Sequence, residues 1–204
     1  MTKKRPDRIM FQIAELFMPI ISTARMTARQ FLQLGEDPKG VRLELVNGEI
    51  AVSPSAIPDH SYTEKMLSTI LAQHILAHDL GQLFGDVDTL VDTYNVRRPD
   101  IIFFAKSRLH LVGDKAIEGP PDLCVEIVNP SSETIDRVDK FQQYAAAGVN
   151  FYWIIDPRHR SLEAYSLLNN AYQLVAQGRD NDALCLAPFN DLEIPLGRLW
   201  RPKT

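Results

Sequence analysis

The chain has 204 residues, 45% of them hydrophobic and 24% charged, with a formal net charge of −4. That length suits one fully cored domain, and the composition excludes a disordered or fibrous chain. The acidic balance excludes nucleic-acid binding by bulk charge, so such a partner needs a local positive surface; Arg97-Arg98, Arg158-His159-Arg160, Arg198, Arg201 and Lys203 are the candidates.

Residues 1–25 read as an N-terminal extension and 26–204 as a single domain. Lys3-Lys4-Arg5 followed by Phe11 to Ile21 has the outline of a signal peptide, but Glu15 interrupts the apolar run and no small-residue cleavage site follows. No run approaches the ~20 apolar residues of a membrane span. Thr27 is placed to cap a short helix through Leu34, stopped by Gly35. Leu43 to Val46 and Glu49 to Val52 flank Asn47-Gly48, the signature of a hairpin with a type I′ turn. After a loop from Pro54 to Pro58, Asp59 or Ser61 opens the longest helix, with Met66, Leu67, Ile70, Leu71 and Ile75 at helical spacing.

Leu83 to Val91 and Arg97 to Phe104 read as an antiparallel pair, and Lys106 to Gly119 as a polar loop. Pro121 to Val128 is a strand, Glu133 to Ala147 a helix stopped at Gly148, and Asn150 to Ile155 the next strand. A strand–helix–strand unit of this kind implies a parallel crossover. Ser161 to Leu167 and Ala171 to Ala176 make a late hairpin across Asn169-Asn170, with Leu162, Ala164 and Leu174 as apolar positions on an exposed edge that a dimer would cover. Cys124 and Cys185 show no metal-ligand spacing and read as buried small hydrophobes in a reducing compartment. The pattern as a whole predicts an α/β domain: a mixed central sheet flanked by helices.

Two carboxylates stand inside strands that are otherwise apolar on both faces: Asp100 before Ile101-Ile102-Phe103-Phe104, and Glu126 within Leu123-Cys124-Val125-Glu126-Ile127-Val128. A lone buried carboxylate costs several kcal/mol unless a cation accompanies it. Alternation places Cys124, Glu126 and Val128 on one face, and Asp100, Ile102 and Phe104 on another single face. Were the two strands neighbours, both carboxylates would converge on one hard cation, magnesium or manganese. Each also has a plain reading, capping backbone or pairing with Arg97 or Arg98.

On the following helix, Ile135, Val138, Phe141 and Ala145 read as the core stripe. Asp136, Lys140 and Tyr144 share a different face at i,i+4 steps. Spacing alone makes Asp136 and Lys140 a solvated surface ion pair. His60 reads plainly as a helix-opening residue, and His74 with His78 as a solvated helix face, since the zincin Glu between them is missing. Phe151, Tyr152 and Trp153 are packing residues. Neither a Gly-rich phosphate loop nor a Gly-x-Ser-x-Gly elbow is present.

Arg98-Pro99-Asp100, Val125-Glu126-Ile127-Val128-Asn129-Pro130, Asp136-x3-Lys140-x3-Tyr144-x3-Gly148 and Tyr152-Trp153-Ile154-Ile155-Asp156-Pro157 together resemble the Uma-two family. These are restriction-endonuclease-like proteins of the PD-(D/E)XK nuclease superfamily. Leu43 to Glu49, Ser53-Pro54 and His60 also resemble the family, and the likeness spans about residues 26–176. The resemblance implies that Asp100 and Glu126 are metal ligands for magnesium or manganese. The superfamily's lysine position, two residues after the glutamate, holds Val128 here; Lys140 on the next helix is its implied replacement. Asp100, Glu126 and Lys140 are thus the expected catalytic residues, with Glu44, His60 and Tyr144 lining the pocket. The implied function is metal-dependent hydrolysis of nucleic acid, DNA in the first place, by a cytoplasmic homodimer without membrane attachment. The alternative is a non-catalytic binding or assembly module on the same fold, which the acidic charge and Val128 favour.

Overall fold

The structure is a computed structural model that describes residues 25–130 and 133–203; the residues of the expected N-terminal extension before Arg25 lie outside the described part. Thr27 caps α1 (Ala28–Leu32) through a capping box with Gln30, which satisfies donors that the helix start leaves open. β1 (Leu43–Val46) and β2 (Glu49–Val52) form the expected hairpin, with Asn47 and Gly48 at φ 52° and 80° as a type I′ turn requires. α2 (Pro58–His78) opens one residue earlier than expected. Pro58 takes the first helical position, where a missing N–H costs nothing.

The expected long antiparallel pair is divided between two sheets. β3 (Gly81–Phe84) pairs with β6 (Ile101–Ala105), whereas β4 (Thr89–Asp92) pairs with β5 (Asn95–Arg97). The cause is Pro99, which cannot donate to a ladder. The chain turns at 98–100, held by Asp86 N–H donating to Pro99 O at 3.1 Å. Gly85 lies against this corner so closely that a Cβ there would stand 2.5 Å from the Asp100 carbonyl oxygen.

β7 (Leu123–Ile127) lies between β6, antiparallel to it, and β8 (Phe151–Asp156), parallel to it. The segment between β7 and β8 ends in a wide helical turn (Ile135–Lys140) and α3 (Phe141–Ala147), stopped by Gly148 at φ 85°. β9 (Ser161–Leu168) and β10 (Ala171–Arg179) form the late hairpin across Asn169 and Asn170, both at positive φ. The expected mixed central sheet is the six-stranded β10-β9-β8-β7-β6-β3, and among the described residues two smaller sheets accompany it, β2-β1-β5-β4 and a C-terminal hairpin. The last, β11 (Ala183–Leu186) with β12 (Phe189–Pro195), was not foreseen from the sequence. Its residues Leu186, Phe189 and Ile194 complete a core beside α2.

Side-chain alternation sorts the large sheet into two faces. Ile101, Phe103, Val125, Ile127 and Trp153 pack under Leu67, Ile70, Leu71 and Ile75 of α2. Ile102, Phe104, Cys124, Tyr152 and Ile154 pack with Tyr144 of α3. Helices thus cover both faces, in keeping with the near-continuous apolar reading of β6 and β7. The small sheet closes its own core of Phe31, Leu43, Leu45 and Val96 under α1. Cys124 is buried as expected but Cys185 is exposed, because it lies on the outer side of the C-terminal hairpin. No helix among the described residues is long and apolar enough to cross a membrane.

Three sequence expectations fail on the helices and edges. Ile135 and Val138, expected in the core, are 36% and 44% exposed, while Asp136 and Lys140 of the supposed solvated face are 2% and 8% exposed. In the wide turn each residue advances by a smaller angle than in an α-helix. A stripe projected at α-helical pitch therefore faces the wrong way. His74 is buried, with its ring 4.4 Å from His78 and edge-on to Phe189 of the unforeseen hairpin. Leu162 and Ala164, expected at an exposed edge, are buried by β8 and the core, leaving Leu174 exposed.

Candidate active site

The polypeptide corner at Pro99 delivers Asp100 to the end of β6. The β6–β7 register, Ile101 opposite Val125, carries on to set Asp100 opposite Glu126. Asp100 Oδ2 accepts the Ile127 backbone N–H at 2.7 Å and lies 3.1 Å from His60 Nε2 in the first turn of α2. Neither bond falls on Oδ1. A carboxylate accepts at both oxygens and never donates when ionised, so His60 must carry its proton on Nε2. His60 Nδ1 is buried with no hydrogen-bond partner among the described residues. Burial opposes charging of this ring while the Asp100 contact favours it, and the net direction of its pKa is upward. A second proton would nonetheless leave a buried N–H without an acceptor, a cost of about 1–3 kcal/mol. The geometry describes the neutral ring with Nε2–H.

Glu126 is 2% exposed and both its oxygens are engaged. Lys140 Nζ donates to Oε2 at 2.7 Å, and Tyr144 O–H donates to Oε1 at 2.8 Å. Lys140 Nζ is also 3.1 Å from Asp136 Oδ1. Burial, then the nearby Asp100 and Asp136 charges, push the Glu126 pKa up against the pull of Lys140. Burial disfavours the Lys140 ammonium, but the charges of Glu126, Asp136, Glu44 and Asp100 outweigh it and raise its pKa. These two directions compete, since a protonated Glu126 would withdraw the main support of the ammonium. Two donors aimed at two carboxylate oxygens describe the ion pair.

Glu44 on β1 completes the floor. Its Oε2 accepts from Arg97 Nη1 at 3.0 Å and its Oε1 from Arg98 N–H at 2.9 Å. Burial raises its pKa less than Lys140, Arg97 and the Arg98 N–H together lower it. Arg97 reaches Gln143 of α3 as well, at 2.8 Å, which ties the small sheet to the helix that directly follows Lys140.

These groups line a cleft of about 650 Å³ between β2, the start of α2 and the wide turn, with Glu44, His60, Asp100, Glu126, Asp136 and Lys140 in its wall. Asp100, Glu126 and Lys140 come together as the sequence suggests. Glu44 and His60 join them, and Tyr144 supports Glu126 from beneath. Val128 is packed in the core and offers no cation. Asn129 donates to Ser55 O at 3.0 Å, closing the loop beside the cleft. The sequence reading missed the burial of Asp136, the Glu44–Arg97 pair and the Ile127 N–H. Only the unusual count of charged residues in apolar surroundings hinted at them.

The candidate basic surfaces are largely neutralised. Arg97 is buried on Glu44, Arg98 pairs with Asp37 and with Asp88 at 2.6 Å, and Arg158 and Arg160 face Glu133 and Asp180. Arg201 pairs with Asp59.

The donor chemistry suits a small hard cation. Asp100 and Glu126 supply carboxylate oxygens, and Asp100 Oδ1 has no hydrogen-bond donor among the described residues. The surrounding carboxylates outnumber Lys140 and Arg97. Among the described residues no three His, Cys, Asp or Glu side chains form a ready-made cage. Magnesium differs from zinc or calcium in this respect, as one or two carboxylates suffice while water fills the remaining positions.

A split mixed sheet with an aspartate at a strand corner, a glutamate on the adjacent strand and a lysine bonded to that glutamate defines a restriction-endonuclease-like α/β domain. Residues 28–197 match the model of the Uma2 family, described as "putative restriction endonuclease", and the chain belongs to that family. The fold is similar to the crystal structure of a "putative nuclease" from Anabaena variabilis ATCC 29413. The TM-score is 0.72 at 20% identity, over 86% of this chain and 97% of that one. None of the curated proteins matches.

Proposed function

We propose that the protein is a magnesium- or manganese-dependent nuclease that hydrolyses phosphodiester bonds in nucleic acid, DNA in the first place. The observation that carries this reading is the convergence of Asp100, Glu126 and Lys140 in one cleft, from three separate segments. A divalent ion held by Asp100 and Glu126 would polarise the phosphate and lower the pKa of an attacking water. Lys140 keeps a proton on Nζ at neutral pH and sets it beside Glu126. There it orients the water or balances charge that develops on the phosphate. Asp136 and Tyr144 hold Lys140 and Glu126 in place, so little reorganisation is needed during reaction.

The test is digestion of duplex DNA, single-stranded DNA and RNA with magnesium or manganese, with Asp100→Ala as control. Ion-dependent cleavage lost in the variant supports the reading; an inert wild type, or equal cleavage by both, overturns it. The second reading is a binding or assembly module that keeps the fold without catalysis. Two observations favour it: both Glu126 oxygens are already engaged, and most candidate surface arginines are paired. That reading predicts nucleic-acid or protein capture without cleavage.

The same proposal places the protein in the cytoplasm, where Cys124 and Cys185 stay as free thiols. It also makes it a twofold dimer, because cutting both strands of a duplex calls for two sites. Exposed Leu174 and Val175 on β10 are candidate contacts, and sedimentation as a monomer at micromolar concentration would refute the dimer.

A further inference from the structure

We infer that His60 is a positioning residue that restricts Asp100 to a single metal-facing oxygen and thereby selects magnesium or manganese over calcium. The inference rests on the nuclease reading of the cleft and concerns how that site chooses its ion. Asp100 Oδ2 receives two donors, Ile127 N–H at 2.7 Å and His60 Nε2–H at 3.1 Å. A carboxylate oxygen has about two lone-pair sites, so Oδ2 is saturated. Oδ1 takes neither bond and is the oxygen left for an ion.

The second observation is the state of the histidine itself. His60 is 7% exposed, and its Nδ1 is buried without a hydrogen-bond partner among the described residues. A ring anchored only through Nε2 has a single polar task, donation to Asp100. Burying an imidazole nitrogen unsatisfied costs stability, and a plain helix-opening residue would not need that arrangement. The first turn of α2, rigidly started by Pro58, holds the ring in place.

Calcium takes six to eight oxygens and readily uses carboxylates in bidentate fashion. Magnesium requires a near-ideal octahedron with short bonds, which a monodentate carboxylate and water supply. With Oδ2 saturated, bidentate ligation by Asp100 is blocked and the smaller ion gains. Loss of the His60 donor frees one lone pair of Oδ2 and lets the carboxylate turn.

The experiment measures magnesium, manganese and calcium affinities by titration calorimetry and by ion-dependent melting, without substrate, for wild type, His60→Leu and His60→Gln. Gln can return an N–H near the position of Nε2; Leu cannot. Removal of a partner that orients a metal ligand typically costs roughly 10- to 100-fold in affinity. His60→Leu is therefore expected to lose at least about tenfold in magnesium affinity relative to calcium, with the ratio restored in His60→Gln. Should His60→Leu not fold, His60→Asn replaces it, since its shorter amide falls near the Nδ1 position and does not reach Oδ2. An unchanged magnesium-to-calcium ratio in the folded Leu or Asn variant overturns the role of His60 and leaves the nuclease reading intact. A wild type that binds none of the three ions overturns both.

Discussion

Replacing Lys140 by Met removes a cation that lies 2.7 Å from Glu126 and 3.1 Å from Asp136, with all three side chains nearly excluded from water. Viewed as a solvated i,i+4 pair, the lysine would be worth a few tenths of a kcal/mol. Viewed as the partner of buried carboxylates, its loss costs about 3–5 kcal/mol, because an uncompensated charge remains inside. Glu126 can escape part of that cost by taking up a proton. Burial already lifts its pKa and Lys140 is the strongest influence holding it down, so the variant's Glu126 is lifted further. A carboxyl whose folded pKa exceeds its unfolded value contributes stability that is complete below the unfolded pKa and lost as pH rises through the folded one. The penalty should therefore stand near ~3 kcal/mol at about pH 8 and shrink towards about pH 5.5. Urea unfolding at both pH values, with m unchanged, measures it. Adding Glu126→Gln should restore part of the loss, a coupling of about 0.5–3 kcal/mol. A penalty below ~1 kcal/mol, equal at both pH values, would refute the buried ion-pair argument.

Magnesium or manganese at a hundredfold excess over Kd should stabilise the wild type by ~2.7 kcal/mol and leave Asp100→Asn/Glu126→Gln unmoved; equal melting shifts in the two would locate the ion elsewhere. Tyr144→Phe keeps the ring but removes a hydrogen bond to Glu126, so chemical denaturation should report a loss of about 1.5–3 kcal/mol. Glu44→Gln strips Arg97 of its buried counter-charge, at roughly 3 kcal/mol near neutral pH. Because the folded Glu44 pKa is lowered, its stabilisation is present above the ordinary carboxylate range and lost as pH falls through the depressed value. The two stability curves should meet in acid, and a gap that persists there would contradict the assignment. Gly85→Ala would press on the Asp100 carbonyl and displace the corner that aims Asp100. It should cost about 1–3 kcal/mol and diminish the ion-dependent melting shift, whereas an intact shift would show that the corner is compliant.

Local chemistry settled much of this protein before folding. Asn47-Gly48 and Asn169-Asn170 are turns because their residues tolerate positive φ, and Thr27 with Gln30 starts a helix wherever the chain places it. An almost unbroken apolar run made β6 and β7 legible, and with them the oddity of Asp100 and Glu126 among apolar neighbours. What stayed hidden depends on partners distant in sequence. Arg97 meets Glu44 across 53 positions, and His60 meets Asp100 across 40. The C-terminal hairpin shields His74 only because β12 returns to α2. Asp136 and Lys140 illustrate the limit most clearly, since their spacing is the same in a surface pair and in a buried one. The wide turn at 135–140 and the carboxylate beneath it decided between the two, because desolvation is a property of everything packed around a charge rather than of the residues beside it in the chain.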